Sequence, residues 1–516
     1  MGKTRKNYRN KSRRSIATGG KAIATGGKAI ATGGKAIATG GKAIATGGKV
    51  IASGGYGCVF NPSLKCEGKS KRESNKISKL MTDRHATEEY EEIKNIKEKL
   101  DSIDNYEDYF LIYDATLCRQ SKLTDSDLKA FGDKCSALPK DGIRKKNINS
   151  KLNEVMALNI PNGGLAVDDY VYSNGSYKKL YETHIALVNL LKKGIIPMNK
   201  KNIYHSDIKD SNILIDDKET SLKARLIDWG LTVEYTPGSR ETFPKNWRNR
   251  PLQFNVPFSV VIFTDLFYEM YTKYLKDGGK IEEASLKPFV INYLNKWMKE
   301  RGAGHYKFIN EIIFLLYSNT LTTISHDNKP DVIETEITMP YIIDSIIDVL
   351  LHYTKFKSDG SLNLREYLDE VYIQIVDIWG FITAYFPLLE MFGNNYFKLN
   401  ENELKIFKQL QYIFNKYLYK HPAVPINLDK LYADLNILGN LIHIVSYGKY
   451  NNDKRNTTST DRSSDRSLIG GIKTRKNGVK ISQSQIFKRK KFVKHFKKPF
   501  FLSISLNINK KSKLFV

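Results

Sequence analysis

The chain has 516 residues, 82 Lys and Arg against 55 Asp and Glu, and 41% apolar residues. This length allows roughly two to four domains or one two-lobed enzyme with extensions, and the apolar share excludes a wholly disordered chain. The formal charge of +27 sits at the ends, +12 in residues 1–49 and +15 in residues 453–516, so the body between them is neutral and the basicity says nothing about it.

The first element is a low-complexity arm. After the basic run Lys3–Arg14, Lys-Ala-Ile-Ala-Thr-Gly-Gly recurs four times from Lys21 to Gly48. Two glycines per repeat cost a helix about 1 kcal/mol each, so residues 1–48 read as a flexible basic arm. A last, altered copy, Lys49–Gly55, runs on into Tyr56-Gly57-Cys58-Val59-Phe60 and is the one expected to fold. Short strands are predicted at Ile77–Met81, Phe110–Tyr113 and Val155–Ile160, with a helix at Thr82–Leu100. From about Tyr177 the pattern is mostly helical. Ile342, Ile343, Ile346, Ile347, Leu350 and Leu351 recur at helical spacing, as do Leu364, Leu368, Val371, Ile375 and Ile378. A β-rich part at 49–164, a helical part at 165–452 and a mobile basic tail at 453–516, with at most one strand at Phe500–Leu506, make an α+β chain.

The longest apolar run, Val256–Phe263, falls far short of the roughly 20 residues that cross a bilayer, so no membrane partner is expected. Cys58, Cys66, Cys118 and Cys135 match neither a disulfide framework nor zinc-ligand spacing, which favours a reducing, intracellular setting and a soluble protein.

Two patterns carry chemistry. Gly54, Gly55 and Gly57 between β runs let backbone N–H groups approach an anion, a weak signal alone. Tyr204–Ile215 is sharper: a polar loop holding His205, Asp207, Lys209 and Asn212 runs into an apolar strand. Arg225-Leu226-Ile227-Asp228-Trp229-Gly230 then repeats the design. An acid, a cation two positions on, an amide and a second acid at neighbouring strand ends suit a polyphosphate with Mg2+, which takes hard oxygen ligands.

In this order the motifs resemble the eukaryotic-type protein kinases, and in dialect the divergent Ser/Thr kinases of giant DNA viruses. The resemblance implies a two-lobed protein-kinase-like fold: a small β-rich N-lobe and hinge at 49–164, a large α-helical C-lobe at 165–452, and disordered basic termini. The hinge would be Asn159–Gly164. It implies that Gly54, Gly55 and Gly57 cover the ATP phosphates, with Tyr56 at the tip, and that Val59 roofs the adenine. Lys79 would hold the α/β-phosphates and Glu89, in preference to Glu92, would pair with it, since Ile93 and Ile96 turn its face inward. Asp207 would be the base, Lys209 the cation beside the transferred phosphoryl, and Asn212 and Asp228 the Mg2+ ligands. His205 would be structural and Trp229 would stand for the usual Phe. Asp265, 37 residues after Asp228, is the candidate for the buried aspartate that anchors the catalytic loop. Ser206 replaces the arginine that reads an activation-loop phosphate in many kinases, which implies activity without that modification.

The activity implied is transfer of the ATP γ-phosphoryl group to a Ser or Thr hydroxyl of a protein substrate, in host cytoplasm or virion if the chain is viral. Two other functions compete. A pseudokinase or nucleotide-binding scaffold is suggested by Ala52 in place of the first loop glycine and by the missing Ala-Pro-Glu motif. Nonspecific nucleic-acid binding is suggested by the basic termini, where Phe487, Phe492, Phe496 and Phe500 interleave Lys488–Lys498.

Overall fold

The computed structural model describes residues 48–458 apart from 174, 219–220, 240–242, 322–323, 326, 359, 361 and 420–422. The repeat arm and the tail beyond 458 lie outside the described residues, and with them the expectations of flexible ends, of a strand at Phe500–Leu506 and of nucleic-acid contacts.

The described chain is α+β. Strands β1 (Lys49–Ser53), β2 (Gly57–Asn61), β3 (Lys76–Thr82), β4 (Thr116–Cys118) and β5 (Val155–Pro161) form one antiparallel sheet in the order β1-β2-β3-β5-β4. Strand alternation gives each face its own job. Val59, Lys79 and Leu158 stand opposite one another on one face, where Met81 and Leu158 meet helix α1 (Asp83–Leu100) through its buried Ala86, Ile93, Ile96 and Leu100. Phe60, Leu80, Val155 and Ala157 serve a second core on the other face. Residues 119–151 close that core with Leu123, Leu128, Phe131, Leu138 and Ile148.

The strands expected at Ile77–Met81 and Val155–Ile160 and the helix at Thr82–Leu100 form with small changes at their ends. Phe110–Tyr113 does not form a strand. Phe110 makes one isolated bridge to Leu226, and Asp114, in the left-handed backbone region at φ 52°, turns the chain away directly afterwards.

The cysteines are a correction. Cys58 bonds to Cys135 and Cys66 to Cys118, across sequence separations of 77 and 52. Spacings this long carry no local pattern, and the pairs meet only because the sheet and the 119–151 insertion bring them together. The argument for a reducing compartment loses its basis.

Most of the rest is helical. The helices Tyr177–Asn189, Glu283–Arg301, Met339–Tyr353, Ile373–Thr383, Glu401–Phe414 and Leu428–Thr458 pack around the core that also takes α1. Both apolar stripes face inward except at Leu351, which is exposed. The last helix runs past the 452/453 boundary expected for the tail. Among the described residues one helical stretch, Arg365–Gly393, is long and apolar enough to span a bilayer, but 89% of its apolar window is buried inside the protein. Short apolar runs interrupted by polar residues therefore conceal a membrane-length stretch here, and it is spent on the core.

Candidate active site

The β1–β2 turn is closed by Gly54 N–H donating to Gly57 O at 2.9 Å. Gly57 is required by packing: a Cβ there would lie 2.3 Å from Met81 Cγ and 2.8 Å from Leu80 O. Gly55 faces open space, and Tyr56 projects at the tip with its ring 4.5 Å from that of His85. Ser53 ties the turn to the insertion. Its hydroxyl oxygen accepts from Ser136 N–H (3.1 Å), Ser136 Oγ (3.2 Å) and Ala137 N–H (3.1 Å), next to the Cys58–Cys135 bond.

Below the turn, Lys79 Nζ donates to both carboxylate oxygens of Glu89 at 2.7 Å. The helix-face argument selected this glutamate: Ile93 and Ile96 are buried, while Glu88 pairs with Arg84 at the surface. Burial alone would lower the Lys79 ammonium, but the carboxylates of Glu89, Asp228 and Glu92 outweigh it and hold its pKa above the ordinary lysine value. Burial, with repulsion from Glu89 and Asp228, pushes the Glu92 carboxyl up to about 7. Lys79, Glu89, Glu92 and Asp228 therefore share one electrostatic neighbourhood.

The second half of the site hangs from two short sheets. β7 (Ile203–Tyr204) pairs with β10 (Val233–Glu234), and β8 (Ile213–Asp216) lies between β6 (Leu165–Ala166) and β9 (Lys223–Leu226). In the loop between β7 and β8, His205, Ser206, Asp207, Lys209 and Asn212 are buried. Asp207 Oδ2 accepts from Lys209 Nζ at 2.6 Å and Asn212 Nδ2 at 2.9 Å, and its Oδ1 accepts from Asn255 Nδ2 at 2.8 Å. Burial would raise this carboxyl. The Lys209 charge and hydrogen bond, the Arg250 guanidinium and the Asn255 amide together hold it below the ordinary aspartate range.

Asn212 also donates to Asp207 O at 2.8 Å, and its own carbonyl accepts from Ile227 N–H at 3.0 Å, which sets Asp228 beside the loop. Asp228 sits in the left-handed region at φ 66°, a conformation Asp tolerates better than most residues. His205 Nε2 donates to Ile227 O at 3.0 Å while Nδ1 accepts from Asp207 N–H at 3.3 Å, and burial keeps the ring neutral. The Trp229 ring lies 4.9 Å from His205 and, edge-on, 5.6 Å from Phe110, joining this loop to the segment before β4 through aromatic contacts. Of the sequence-predicted residues, Lys79, Glu89 and Asp228 interact electrostatically, with Val59 opposite Lys79 in the sheet, and Asp207, Lys209 and Asn212 form a second group that the Ile227–Asn212 hydrogen bond sets next to Asp228.

Asp265 is not the loop's anchor. It lies at the surface, where Arg248 Nη2 donates to it at 2.9 Å. The anchor is Asp377, fully buried, whose two oxygens accept from His205 N–H and Ser206 N–H, each at 2.8 Å. Burial pushes its carboxyl up to about 7 although both N–H groups and Arg250 pull the other way. One turn on, Gly380 lets the same helix touch the loop: a Cβ there would lie 2.6 Å from Ile208 O. A lone carboxylate inside Ile373–Ile382 was the available signal, since an acid in so apolar a stretch is buried for a reason. No role for Arg250, Trp247 or Asn255 was read from the sequence.

No family model matches this sequence, and a search of curated proteins finds no match. The site therefore has to be argued from its own geometry.

Proposed function

We propose that the chain is a two-lobed, protein-kinase-like phosphotransferase that moves the ATP γ-phosphoryl group to a Ser or Thr hydroxyl of a protein. The observation that carries this is the meeting of two preorganised charge clusters, Lys79–Glu89 and Asp207–Lys209–Asn212, around Asp228. The five-strand order β1-β2-β3-β5-β4, with its glycine turn beside Lys79, also supports it.

In this reading Lys79, held straight by Glu89, takes the α/β-phosphates under the β1–β2 turn. The ionised Asp207 accepts the proton of the acceptor hydroxyl as that oxygen bonds to the γ-phosphorus and ADP leaves. Lys209 lies where it balances charge on the transferred group. Among the described residues no group of three His, Cys, Asp or Glu forms a metal cage. Mg2+ needs none: it binds through one or two protein oxygens plus substrate phosphates, and the Asn212 amide and Asp228 carboxylate fit that donor set. When bound it would neutralise phosphate charge.

The test is phosphoryl transfer from labelled ATP with Mg2+ to generic protein substrates. Asp207→Ala should cut transfer by about 10²–10⁴-fold with nucleotide binding retained. Equal rates in variant and parent would overturn the reading. Nucleotide binding by a parent that transfers nothing would favour a scaffold instead.

A further inference from the structure

Residues 244–257 follow the Asp228 strand end and cross directly beneath the loop that carries Asp207. Three of their side chains grip consecutive residues of that loop. Trp247 Nε1 donates to Ser206 Oγ at 2.8 Å, Arg250 Nη1 donates to Ser206 O at 2.9 Å, and Asn255 Nδ2 donates to Asp207 Oδ1 at 2.8 Å and Ile208 O at 3.3 Å. All three are buried, with Trp247 and Asn255 at 0% exposure and Arg250 at 6%. Trp247 is seated among Tyr204, Tyr235 and Tyr372, with ring centroids 5.6, 5.7 and 5.3 Å away.

Ser206 needs such a grip. It sits in the left-handed region at φ 62°, which a non-glycine residue holds only when its surroundings insist. Its N–H, carbonyl and hydroxyl are each taken, by Asp377, Arg250 and Trp247 respectively. Ser206 brings no cation, so the loop offers no charge of its own at this position for a phosphate to engage. The guanidinium that holds it comes from the segment itself.

We propose that Trp247, Arg250 and Asn255 are positioning residues that fasten residues 244–257, which contain no hydroxyl side chain, to Ser206–Ile208, so that Asp207 is aimed at the acceptor with no phosphate on Thr232, Thr236 or Ser239 just upstream. This rests on the phosphotransferase reading and adds how the site is kept in working order: the enzyme is active as synthesised.

The experiment uses the full chain, freed of phosphate by a phosphatase and checked by mass spectrometry. Its kcat should stay within about twofold of the untreated protein, and Thr232→Ala/Thr236→Ala/Ser239→Ala should keep the parent rate. Asn255→Ala should lower kcat by about 10²-fold, the scale of an ångström-sized misplacement, with KM for ATP little changed. Asn255→Ser, which keeps a donor, should recover part of the loss. Trp247→Phe keeps one aromatic ring but loses the pyrrole part of the indole with its Nε1–H, and should lower kcat about tenfold when assayed well below the variant's own, lowered melting temperature. A gain of tenfold or more on phosphorylation at Thr232, Thr236 or Ser239 would overturn the proposal, as would Asn255→Ala and Trp247→Phe variants as fast as the parent. A parent that binds ATP but transfers nothing in either state would remove the phosphotransferase reading, and this proposal with it.

Discussion

All four cysteines lie in the sheet region, paired as Cys58–Cys135 and Cys66–Cys118, and no cysteine occurs after Cys135. Through α1 one face of the sheet region shares the core of the helical region, while its far face is covered by the irregular 119–151 insertion. The helical region is held instead by apolar volume and by rings packed on rings: Phe258, Trp379 and Tyr419 in one group, Phe267, Tyr271, Phe289 and Tyr293 in another. The difference teaches that a small, loop-rich layer reaches by cross-linking what a thick helical layer reaches by burial. It also places the two charge clusters of the site on supports that fail under different conditions.

Breaking the first support should give the largest effect. Cys58→Ser/Cys135→Ser should destabilise the sheet region by about 4 kcal/mol in the loop-closure picture, leaving the helical region's transition where it was. Calorimetry would then show two transitions where the parent shows one or a narrower pair. Equal losses in both regions would mean that the two are not separately supported.

The second support should yield to acid. Burial against the last helix lowers His184 from 6.5 to about 4, and its Nδ1 accepts from Tyr385 Oη at 3.0 Å. The folded protein holds this ring neutral while the unfolded chain protonates it below its ordinary pKa. The stability is therefore complete above pH 6.5 and drains away as pH falls toward about 4. The loss is on the order of 3 kcal/mol, read as a falling melting temperature across that window, and His184→Gln should flatten the curve. Smaller still is the cap of helix Asp265–Lys276. Thr264 Oγ1 accepts from Phe267 N–H at 3.0 Å, and Thr264→Ala should cost about 1 kcal/mol in the helical transition.

The parts of the site that obey local periodicity could be read before any coordinates. Glu89 was chosen over its neighbours because Ile93 and Ile96 lie one and two turns further along the same face, and helical geometry does not depend on the rest of the chain. Asp207, Lys209, Asn212 and Asp228 were legible because two strand ends with polar side chains at fixed offsets repeat a design. Asp265 failed because distance along the chain from Asp228 was its only support, and chain distance says nothing about which helix reaches the loop. The true anchor, Asp377, arrives from a helix far downstream. The disulfides were hidden for the same reason: Cys58 and Cys135 are neighbours only after the insertion folds over the sheet. Trp247 reaches the loop through one hydrogen bond and Asn255 through two, both from a segment of irregular backbone, which leaves no period to detect.

The three hydrogen bonds received by Ser53 have a mechanical consequence. With the covalent tie at Cys58, the rim of the cleft is stitched to residues 135–137 and cannot lift as an independent flap. On the proposed function, admitting or expelling a nucleotide beneath it would require the insertion to ride along. The pace of that exchange would then depend on residues 119–151, which supply none of the predicted site side chains.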